Sequence, residues 1–136
     1  VNSANLSIPK LKKIFTDAYC DATLYKTKKG TPYLKVKDTW NIYVDIDNSR
    51  KRYITYYLYW KLDPKFSFYE KLNLVNLINK QVLMVSPYIY NSRLIMVKYD
   101  LWVQGGVTAK NIIRSYQCFV KALKLILKKD TKRVIK

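Results

Sequence analysis

Leu72-Asn73-Leu74-Val75-Asn76-Leu77-Ile78-Asn79 decides the reading of this chain, together with the segments on its C-terminal side. The octet has the apolar spacing of a helix and is succeeded by two strand-like runs, Val82 to Tyr90 and Leu94 to Val103. Gln104-Gly105-Gly106-Val107-Thr108 then makes a turn, and a long amphipathic run closes the chain. Helix, strand, strand, paired glycines, helix is an α+β order that carries no catalytic signature.

Upstream of the octet, Ser67 suits a helix N-cap, so the helix is expected to run to about Gln81 and to bury Leu72, Val75 and Leu77 or Ile78. Asp63-Pro64 ends the strand before it. That strand, Arg52 to Leu62, alternates sharply. Ile54, Tyr56, Leu58, Trp60 and Leu62 make a core face, while Tyr53, Thr55, Tyr57, Tyr59 and Lys61 make an amphipathic one. Before it, Trp40, Ile42, Val44 and Ile46 alternate with Asn41, Tyr43 and Asp45, and Asp47-Asn48-Ser49-Arg50 supplies the hairpin turn. Two shorter strand-like runs flank the polar turn Lys26 to Pro32. Ser7-Ile8-Pro9 starts the first helix, with Leu11, Ile14, Phe15 and Ala18 inward and Lys10, Lys13 and Asp17 outward.

In Leu94 to Val103 the residues Ile95, Val97, Tyr99, Leu101 and Val103 face the core, leaving Met96, Lys98, Asp100 and Trp102 opposite. An antiparallel sheet can leave one face open. Tyr53, Tyr57, Tyr59, Lys61, Lys98 and Trp102 on that face are therefore the expected partner-binding residues. In the closing helix, Ile112, Ile113, Tyr116, Phe119, Val120, Leu123 and Leu127 form the apolar stripe. Lys110, Arg114, Gln117, Lys121, Lys124 and Lys128 form the other side. A row of cations without acids gains nothing from helical ion pairing, so Lys110, Arg114, Lys121, Lys124 and Lys128 form the alternative site, one for a polyanion. The tail from Lys128 to Lys136 is expected to fray.

Val75-Asn76-x-x-Asn79 late in a helix, two strands, then Gly105-Gly106-Val107-Thr108 and a helix containing Phe119 resemble the bacterial YbjN family, described as sensory transduction regulators. Trp40-Asn41 and its neighbouring strands fall in the same order, so the resemblance in layout extends over most of the chain. It implies a fold like that of the type III secretion chaperones and a regulatory or chaperone-like role. It singles out Asn76, Asn79, Gly105, Gly106 and Thr108 as structural positions. For the two asparagines, tying the helix to a neighbouring strand or loop is preferred to a ligand role.

At 136 residues with 49% apolar, the chain suits one domain, read as a single YbjN-like domain over residues 1–136. No apolar run approaches the roughly 18 to 20 residues a membrane helix needs. Val1-Asn2-Ser3-Ala4-Asn5 lacks the basic and apolar regions of a secretion signal, so cytoplasmic residence is expected, with removal of an earlier segment left open. The net charge of +17, from 26 Lys and Arg against 9 Asp and Glu, attracts nucleic acid, anionic membranes or acidic proteins. Enrichment in Lys, Asn, Ile and Tyr fits AT-rich coding bias equally well. Cys20 and Cys118, far apart in expected helices, are taken as free buried thiols.

The absence of histidine removes His-dependent triads and His-bearing zinc sites. Two separated cysteines remove an all-Cys zinc site. Asp45 and Asp47 could hold a hard cation, but the run lacks a calcium loop's glycine and closing glutamate, and a solvated turn is preferred. Gly105-Gly106 before a helix could cradle a phosphate, yet the P-loop and dinucleotide spacings are missing.

These readings predict an antiparallel sheet of about five strands with helices mainly on one face, in the order α-β-β-β-β-α-β-β-α. They predict a non-catalytic module with no cofactor or metal that binds a protein partner, and the resemblance to chaperone-like folds implies pairing as a homodimer. The alternative is weak, unspecific nucleic-acid binding through the helix stripe and the sheet aromatics.

Overall fold

The computed structural model describes residues 2, 5–47 and 49–136. Its elements are α1 (Ile8–Asp17), β1 (Asp21–Lys26), β2 (Pro32–Lys37), β3 (Asn41–Ile46), β4 (Tyr53–Lys61), α2 (Phe68–Gln81), β5 (Ser86–Asn91), β6 (Leu94–Trp102) and α3 (Ala109–Lys129). The sheet has six strands, the number in the expected element order and slightly more than the expected sheet of about five, arranged β1-β2-β3-β4-β6-β5. The pairs β1–β2, β2–β3, β3–β4 and β5–β6 are antiparallel. The chain divides into two compact units: Val1–Tyr57 with Asp100–Gln117, and Leu58–Tyr99 with Cys118–Lys136.

In the first unit, α1 begins where the sequence signals it. The Ser7 hydroxyl accepts from the Lys10 amide, and proline occupies the first turn, where its missing N–H costs nothing. The helix buries Ile8, Leu11 and Phe15. Ala18 is its C-cap, and the left-handed Tyr19 (φ 63°) turns the chain into β1. Leu34, Val36, Ile42, Val44, Ile54 and Tyr56 form the covered sheet face. The Phe15 ring meets Tyr116 of α3 edge-on at 5.1 Å, and Tyr116 meets Tyr56 at 6.0 Å. The buried Tyr56 hydroxyl donates to the Ile112 carbonyl at 3.0 Å and lies 2.9 Å from the Ser115 hydroxyl. The predicted alternation of β4 is observed: every second residue from Ile54 to Trp60 is buried. Asn48, in the predicted hairpin turn, lies outside the described residues, as do Val1, Ser3 and Ala4.

In the second unit, Ser67 caps α2 reciprocally with Glu70, a capping box of the kind that satisfies two orphan amides. Three expectations are corrected here. The helix buries Lys71, Leu74, Val75 and Ile78, whereas Leu72 is 39% exposed. The strand expected from Val82 begins at Ser86, because Val82 is the C-cap of α2 and Met84 takes a left-handed turn (φ 72°). The C-terminal tail is docked instead of frayed. The buried Asp130 carboxylate accepts from the Val134 amide at 3.0 Å and the Ile135 amide at 2.8 Å, and Ile135 bridges to Leu62.

Two side chains depart from their expected faces. Met96 is buried beneath the Tyr88 hydroxyl, which donates to its sulfur. Leu127 of the expected apolar stripe is exposed, and Ile126 is buried in its place.

Candidate partner-binding face

In the first unit, the sheet face away from the buried residues is a run of tyrosines set by strand register. Tyr25 pairs with Tyr33 across β1 and β2, and Tyr43 with Tyr57 across β3 and β4. Their rings are nearly parallel, with centroids 5.8 Å apart in the first pair and 5.5 Å in the second. Tyr33 and Tyr43 join the pairs at 6.0 Å in a tilted contact. Tyr53 stacks on Trp102 at 6.3 Å, and Trp102 remains 59% exposed. Lys35 lies over the Tyr25 ring at 5.1 Å and Arg52 over Tyr53 at 5.9 Å, both within cation–π range.

Sequence reasoning placed Tyr53, Tyr57 and Trp102 on this face and missed Tyr25 and Tyr33 as members of it. The signal was the short polar turn between two strands, which brings the two tyrosines opposite each other once the hairpin register is known. Tyr43 was assigned to the right side of its strand, but its partner on β4 is a matter of pairing.

Carboxylates punctuate the face. The Tyr57 hydroxyl donates to Asp45 at 3.1 Å, and the Thr55 hydroxyl to Asp100 at 2.6 Å. Burial pushes the Asp45 carboxyl up, and the Tyr57 hydrogen bond partly opposes this. Asp47 is engaged by its own hairpin. It accepts from Arg52 Nε at 2.9 Å, which with the backbone and hydroxyl donors of Arg52 and Ser49 holds its carboxyl down at about 2. Among the described residues no group of three Cys, Asp or Glu side chains is placed to hold a metal ion.

In the second unit, Tyr59 meets Tyr90 edge-on at 5.1 Å, Lys61 is exposed and Lys98 is half-buried. Asn76 and Asn79 are exposed on α2. The tie from helix to loop that they were expected to make is made by the buried Lys71, whose ammonium donates to the Ser92 carbonyl at 2.8 Å. The turn into α3 is as expected: Gly105 and Gly106 have φ of 93° and 111°, and the Thr108 hydroxyl accepts from the Asn111 amide at 3.1 Å. Lys110, Arg114, Lys121, Lys124 and Lys128 are all exposed on α3. Both cysteines are free and half-buried, and burial near Asp38 raises the Cys20 thiol.

An antiparallel six-stranded sheet with three helices defines an α+β protein. Residues 62–127 match the YbjN family, "Putative bacterial sensory transduction regulator", over just under half of the chain. The markers Asn76, Asn79, Gly105 and Gly106 all lie inside that segment. A crystal structure of E. coli YbjN, described as "a putative transcription regulator", shares the fold with a TM-score of 0.75. The alignment covers 96% of each chain at 14% identity, so the likeness is one of fold. No curated protein matches the sequence. Among the described residues, no helix is long and apolar enough to cross a membrane.

Proposed function

We propose that this chain is a non-catalytic regulatory module that acts in the cytoplasm as a single domain, holding a protein partner in chaperone-like fashion on the tyrosine face. A second copy of the chain is one such partner. The observation that carries the reading is the stacking of Tyr25 on Tyr33 and of Tyr43 on Tyr57. Nucleobases bind sheets by stacking on free aromatic faces. Here the faces are turned toward neighbouring rings, which leaves ring edges for a partner. Tyrosine presented this way is rigid, apolar along the ring and polar at the tip, the combination that protein interfaces favour.

The experiment is retention of host proteins on the immobilised full chain. Tyr57→Ala and Trp102→Ala should each lower retention of the specific partner by about tenfold or more, the loss typical of an aromatic anchor. Lys121→Gln with Lys124→Gln should leave it nearly unchanged, since rim charges act mainly on association rate. Recovery of nuclease-sensitive material at physiological salt, dependent on Lys121 and Lys124 and indifferent to Tyr57, would establish the nucleic-acid alternative instead.

A further inference from the structure

We infer that a groove between α1 and the start of α3 receives an acidic amphipathic helix of a protein partner. The groove is shallow and open, with a volume of about 430 Å³, and lies on the helical side of the first unit, with residues distinct from those of the tyrosine face. Its apolar lining comes as two matched pairs, Ile14 of α1 with its C-cap Ala18, and Ala109 with Ile113 on α3. Each pair is spaced i, i+4, so the two form short ridges with a valley between them, the shape into which a third helix packs. Ile14 and Ile113 remain half-buried after folding. Alanine at the other two positions lets a backbone approach closely.

Charge selects the occupant. The rim holds Asp17, Lys110 and Arg114. Asp17 is already paired with Lys13 at 2.7 Å. Among the described residues, neither Lys110 nor Arg114 is paired with an acid. Lys110 also stands in the first turn of α3, where the helix dipole disfavours cations and where there is no acid. Two unpaired cations one turn apart, beside half-buried apolar residues, complement a partner with carboxylates one turn apart. A helix with apolar residues at i, i+4 and i+7 and glutamates alongside fits both features.

The probe is a fluorescently labelled synthetic peptide of about 18 residues with leucines and glutamates in that arrangement, titrated with the full chain at physiological salt. A scrambled peptide of the same composition measures what net charge alone contributes. The amphipathic peptide should bind saturably and at least about tenfold more tightly than the scrambled one. Arg114→Glu should weaken it by about tenfold while improving binding of a version with lysines for glutamates, a reciprocal charge swap that a merely structural role would not give. Amide shifts should be confined to residues 13–19 and 109–117. Equal affinity for the scrambled peptide, indifference to Arg114→Glu, or shifts centred on Tyr43 and Tyr57 would each overturn the proposal. So would groove shifts produced by decanoate when the peptide produces none, since the occupant would then be a small anionic amphiphile.

Discussion

Tyr43 and Tyr57 stand directly opposite each other on β3 and β4, their rings 27° from parallel with centroids 5.5 Å apart, and the Tyr57 hydroxyl is held by Asp45 two residues beyond Tyr43. One side chain thus joins a stack to a hydrogen bond. The arrangement fixes the tyrosine rotamers before any partner arrives, which lowers the ordering cost of binding.

A double-mutant cycle on Tyr43→Ala and Tyr57→Ala should give a coupling of about 0.5–1.5 kcal/mol in urea unfolding, the size of an aromatic pair beyond its buried area. A coupling indistinguishable from zero would mean that the two rings contribute independently.

The carboxylates flanking the β3–β4 hairpin should titrate in opposite senses. Asp47, ordinarily near 3.8, is held at about 2 by Arg52. Its contribution is therefore fully present above the ordinary value and lost as pH falls from about 4 toward 2. Asp47→Asn should flatten that part of the acid limb of stability against pH. The carboxyl of Asp45 is pushed up by burial, so its ionisation weakens the folded state as pH rises through and above the ordinary value. Asp45→Asn should remove that loss, and the difference between variant and wild type, measured by unfolding at pH 3 and pH 7, checks the sign.

Gly105 and Gly106 at φ 93° and 111° hold conformations that side chains rarely adopt. Nothing lies within 4 Å of a Cβ added at Gly105, so any penalty of Gly105→Ala is backbone strain and not a clash. A loss of about 1–3 kcal/mol in chemical unfolding is expected. A neutral result would show that the turn relaxes.

Asp130 and the tail form a lock whose removal has a defined size. Asp130→Ala leaves the buried amides of Val134 and Ile135 without their acceptor, at about 1–3 kcal/mol for each that finds no water. Hydrogen exchange at these two amides should quicken in the variant well before exchange at buried positions such as Ile95. Simultaneous quickening throughout would place the tail in the global unfolding unit instead.

Local chemistry was legible in the residues themselves. The capping serines at positions 7 and 67, the glycines before α3 and the strict alternation of β4 are properties of a single segment, because capping, positive φ and the period of a strand need only neighbours along the chain. From these came the α+β order and the side of β4 on which Tyr53, Tyr57 and Tyr59 stand. The sequence could not decide which side chains meet from one strand or element to another. Tyr25 stacks on Tyr33 through hairpin register, and Thr55 reaches Asp100 from a strand 45 residues away. Lys71, a residue type that is almost never buried, is buried because a single carbonyl, that of Ser92, waits for it. The tail that looked like a frayed basic end is held by Asp130 because its Val134 and Ile135 have apolar surface to bury. Burial of that kind is paired across the whole chain. No short window of sequence contains both Thr55 and Asp100, or both Lys71 and Ser92, so only the tertiary structure decided that these side chains would meet their partners.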